Sequence, residues 1–150
     1  MKLANALMER SELQRHLSEL TTRLNNNAKV QDGETPSEDP NELLEDLNNT
    51  IISLEDLIAR INLTNSTTYI DGKTITELLA KRDCLKQKLQ IMRGFLDNAS
   101  KKFDRYSRAE IKIKSTVSVS DLQKDVDWVS KELRNIDEQI QSLNWTTELK

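Results

Sequence analysis

Leu44, Leu47, Ile51, Leu54, Ile58 and Ile61 alternate by three and four residues without a break. A mean spacing near 3.5 keeps all six on one side of an α-helix, whereas a strand would need a spacing of two. Leu43 and Leu57 widen that side beyond a simple two-stranded seam. Asp39 is placed to cap such a helix, Pro40 suits its first position, and Glu42 completes a capping box. The spacing therefore predicts a long amphipathic helix opening at Pro40.

The same periodicity predicts three more helices. In the first, from about Lys2 to Leu24, the sequence places Leu3, Arg10, Leu17 and Leu24 at one heptad position. Ala6, Leu13 and Leu20 hold its partner position, Leu7 broadens the stripe, and the Asn25–Asn26–Asn27 run stops the helix. Thr74 with Glu77 opens the third, where Leu78, Leu85, Met92 and Ala99 alternate with Arg82, Leu89, Leu96 and Phe103. Ser120 with Gln123 opens the fourth, whose stripe is Leu122, Val126, Val129, Leu133, Ile136, Ile140 and Leu143. At ~1.5 Å per residue each helix is roughly 33–38 Å long. Matched lengths with one apolar stripe apiece predict a mainly α fold: an antiparallel four-helix bundle in a single domain, residues 1–150. With only 4% aromatic residues, 3 Gly and 2 Pro, the composition agrees.

The connections exceed the ~2–8 residues that helix–helix loops in bundles take. They cover roughly 25–39, 64–73 and 100–119. In the third, Ala109, Ile111, Ile113, Val117 and Val119 fall on odd positions, with Glu110, Lys112, Lys114 and Thr116 between them. Alternation of that kind predicts a strand, which needs a partner for its backbone. Two Asp-Gly dipeptides, at Asp32–Gly33 and Asp71–Gly72, mark the candidate partners. In an up-and-down bundle the first and third connections share an end, which favours residues 28–31 within one chain; a second subunit is the alternative. The first connection carries Lys29 against Asp32, Glu34, Glu38 and Asp39, and the third is basic. A small β element formed by these long loops is the expectation.

The densest polar cluster lies in that third connection: Asp104, Arg105, Tyr106, Arg108 and Glu110. Arginines beside a tyrosine can grip a phosphate or carboxylate, so the cluster is the candidate ligand-binding site for a small anion. Its other reading is a set of structural ion pairs that holds the loop. Arg10 and Arg82 stand where the heptads call for apolar residues and are candidate polar positions within the helix stripes: either paired and register-setting, or at the stripe edge and snorkelling.

The remaining chemistry narrows quickly. One cysteine, Cys84, forbids an intrachain disulfide, and one histidine, His16, removes most zinc and triad chemistry. Acidic residues in the second helix lack the Glu-x-x-His motifs of a di-metal bundle. No phosphate-binding loop, dinucleotide fingerprint or nucleophile elbow is present. We expect no cofactor, no metal and no enzymatic activity. A net charge of −3 argues against nucleic acid. The start, MKLANALMERSEL, is broken by Asn5, Glu9, Arg10 and Glu12, and no apolar run approaches the ~20 residues of a membrane span, so a cytoplasmic protein is expected.

The segments MKLANALMERSELQRHL, NAKVQDGETPSEDPNELL, DRYSRAEIKI and LNWTTEL occur in this order. Together they resemble the septicolysin-like family of small bacterial helical proteins, over essentially the whole chain. The resemblance implies a bacterial origin and a helical fold, and brings no catalytic residue. Its label implies a cytolysin. Read from the residues themselves, the leading function is a non-enzymatic helical protein that self-assembles into a homo-oligomer. A small-anion or metabolite-binding protein using the Arg/Tyr loop is the alternative.

Overall fold

The computed structural model describes residues 1–101 and 112–150. Among them it contains four helices, α1 (Leu3–Asn26), α2 (Pro40–Thr67), α3 (Ile75–Ser100) and α4 (Val119–Thr146), and one two-stranded sheet, β1 (Tyr69–Ile70) with β2 (Lys73–Thr74). The mainly α architecture with a small β element matches the sequence reading. By contact the chain divides into two compact units, residues 1–74 with 143–150, and residues 75–142.

In the first unit α1 and α2 form an antiparallel pair, with His16 beside Asp46 and Arg23 beside Glu38. Leu3, Ala4, Ala6, Leu20, Leu43, Leu57 and Ile61 are buried, joined by Leu143 and Leu149. Asp39 caps α2 as expected, its carboxylate accepting from the Asn41 amide at 2.9 Å, and Pro40 opens the helix. The β-hairpin follows: Tyr69 pairs with Thr74 and Ile70 with Lys73, antiparallel. Asp71 (φ 50°) and Gly72 (φ 78°) both lie in the left-handed region that a tight two-residue hairpin turn demands.

Residues 147–150 close this unit. The Leu3 amide donates to Thr147 O (2.9 Å) and the Leu149 amide to Met1 O (2.8 Å). Further along, the Lys150 amide donates to Thr64 Oγ1 (2.9 Å) and Arg60 Nε donates to Lys150 O (3.0 Å). The tail thus ties the start of α1 to the end of α2. Thr64, wholly buried, also donates to Arg60 O one turn back at 2.8 Å.

In the second unit Ile75, Leu78, Leu85 and Leu89 of α3 are buried, as are Val126, Val129, Ile136 and Ile140 of α4. Lys81 Nζ meets Glu132 at 3.1 Å and Arg93 donates to Ser130 Oγ at 3.3 Å, so α3 and α4 lie side by side. The expected stripes are the buried faces here. The start of α4 shifts by one cap: Ser118, not Ser120, accepts from the Asp121 amide (3.4 Å). Both serines stand three residues before an acid or amide, Ser118 before Asp121 and Ser120 before Gln123, so the two cap patterns overlap in the sequence.

Two loop expectations are corrected. Residues 28–31 form no strand; Glu34 N instead donates to Gln31 O (2.9 Å), closing a turn at Asp32–Gly33, with Gly33 at φ 85°. Lys112–Ser115 have no regular structure, and the first part of the expected strand, residues 109–111, lies outside the described residues. The β element comes from the second connection, where Asp-Gly lies between residues that can pair with each other. No helix among the described residues is long and apolar enough to cross a membrane.

Candidate functional site

The face read from the second helix is buried only in part: Leu43, Leu57 and Ile61 are buried, while much of the six-residue repeat lies to one side. The buried face of α2 is a row seven residues apart, Leu43, Thr50, Leu57 and Thr64, together with Ile61. Leu44 and Ile51, by contrast, are 46% and 45% exposed, and Leu47, Leu54 and Ile58 are half-buried. The reason is in the threonines. Thr50 donates to Asp46 Oδ1 (3.2 Å) and Thr64 to Arg60 O, so each hydroxyl finds its partner on its own helix and a polar residue can face the core.

An apolar strip is left open on the neighbouring side. Ile51, Leu54, Glu55, Ile58, Ala59 and Asn62 line an open groove of about 470 Å³. Glu55 is the one charged residue among those lining it, while Glu42, Glu45, Asp46, Asp56 and Arg60 fall on other sides of the helix at 100° per residue. Charge depleted at the centre of an apolar patch is the composition of an interface core.

Beside this strip a chain of polar contacts stitches α1 to α2. His16 Nε2 lies 3.0 Å from Asp46 Oδ2, and Arg23 grips Glu38 through Nε (3.1 Å) and Nη2 (2.5 Å). Arg15 pairs along α1 with Glu12 and Glu19. The His16 hydrogen bond holds the Asp46 carboxyl below its usual range, and Arg23 does the same for Glu38. Both pairs are half-exposed, so each contributes little to stability. The acidic first loop, expected to face the basic third one, has at least two acids occupied nearer home: Glu38 on Arg23 and Asp39 at the α2 cap.

At the tail, Glu148 bonds Lys2 Nζ (2.6 Å) and the Met1 ammonium (3.1 Å), which lower its pKa. A depressed carboxylate stabilises the fold above its unfolded pKa and loses that contribution as pH falls through the folded value. Glu148→Gln is therefore expected to melt below the parent at pH 7. The gap should close below about pH 4.5, the unperturbed value. Thermal melts of both chains across pH 3–7 check this.

Asp104, Arg105, Tyr106, Arg108 and Glu110, the candidate anion-gripping cluster, lie outside the described residues. A cleft of about 590 Å³ is lined by Phe95, Asn98, Lys101, Ile113, Lys114 and Ser115 among others. Arg82 gives both Nε and Nη2 to its neighbour Asp83 (3.0 and 2.9 Å) and bridges no helices among the described residues. Arg10 is half-buried; its Nε is buried with no hydrogen-bond partner among the described residues. Nothing local in the sequence marks His16, Asp46, Thr64 and Arg60 for the contacts they make. His16 lies 30 residues from Asp46, a pairing visible only once α1 and α2 are set antiparallel.

Fold and surface together define a helical protein with an open apolar seam and, among its described residues, no His/Cys/Asp/Glu cluster able to hold a metal. Over residues 10–149 the chain matches DUF6847, a family of unknown function, and belongs to that family. It is also similar to a functionally unknown conserved protein from Corynebacterium diphtheriae known by crystal structure. The two are 42% identical with a TM-score of 0.90, over 100% of this chain and 99% of the other. No curated protein matches the chain.

Proposed function

We propose that this chain works by assembly: its α2 seam binds another helix, and the protein is a structural or interaction module rather than an enzyme. One observation supports this most. Leu44, Leu47, Ile51, Leu54 and Ile58 keep an unbroken three-four repeat over four turns, yet leave two of their number nearly half exposed. A repeat of that kind is the pattern that seats knobs into the holes of a facing helix. Solvated surface has no reason to keep it, and Ile51 and Leu44 would gain about 25 cal/mol per Å² on being covered.

The test is a charge placed in the seam. Ile51→Glu is expected to shift the chain from dimer to monomer in light scattering, weakening association at least ~100-fold, since an unpaired buried charge is among the costliest interface changes. Leu63→Glu, equally exposed at 51% but off the seam, leaves the mass unchanged. Equal effects from both, or none from either, would remove the proposal.

A further inference from the structure

We draw no further inference here: the strongest candidate, the open apolar strip on α2 lined by Ile51, Leu54 and Ile58, is an unpartnered helix face, and nothing in the structure shows what covers it.

Discussion

Leu57→Ala is expected to lower the stability of the chain by about 2–5 kcal/mol, the range for truncating a buried leucine that leaves a cavity. Leu57 is 4% exposed and lies on the buried row of α2 between Thr50 and Thr64. Ile51→Ala, six residues earlier and just as apolar, should behave differently. Its side chain is 45% exposed within its own copy, so its effect on the isolated fold stays within ~0.5 kcal/mol, as for other surface changes. Whatever it destabilises beyond that should depend on protein concentration, because it enters through association. Urea melts at two concentrations tenfold or more apart separate the cases. Leu57→Ala should shift the midpoint equally at both, and Ile51→Ala only at the higher. Equal losses from both variants at low concentration would mean that α2 buries both sides within one chain.

The second large effect concerns the tail. Leu149→Asp is expected to cost about 2–3 kcal/mol, the value of burying one leucine against leaving it in water. Leu149 is 9% exposed, and its amide bonds Met1 O across the start of α1. Undocking it also frees the Leu3 amide from Thr147 O and removes Lys150 N from Thr64 Oγ1. Hydrogen exchange should report this before melting does, with the Leu3 and Leu149 amides losing protection while mid-α2 amides keep theirs. Trp145→Ala is the control: a larger side chain but 56% exposed, it should shift stability by less than ~1 kcal/mol. Unchanged protection at Leu3 in Leu149→Asp would show that the tail does not hold α1.

All four helices were legible in the sequence, because spacing and the scarcity of Gly and Pro agree at each one. Asp39–Pro40 located the start of α2 to the residue. The buried side of α2 was legible only in part: Leu43, Leu57 and Ile61 were read, Thr50 and Thr64 were not. Hydrophobicity marks Leu44 and Ile51 as core and Thr50 and Thr64 as surface, yet a threonine that bonds back to its own helix buries its methyl at little penalty. The β element was predicted, but its place was not. Alternation in the third connection and two Asp-Gly turns gave three candidates, and among the described residues Asp71–Gly72, between Tyr69–Ile70 and Lys73–Thr74, is the one that forms a hairpin. The tail clasp depends on residues 83 or more apart along the chain, and Leu149 carries no periodic signal. The ion pairs His16–Asp46 and Arg23–Glu38 likewise follow from the antiparallel set of two helices and not from local sequence.

The open side of α2 is thus what packing leaves over after α1, the tail and the threonine row have taken their places. Sedimentation equilibrium of the unmodified chain, beside Ile51→Glu, over a micromolar concentration series tests it most directly. Assembly through α2 predicts that the unmodified chain sediments as two 17.3 kDa copies and the variant as one. A single 17.3 kDa species for both, unchanged to the highest concentration, would contradict it.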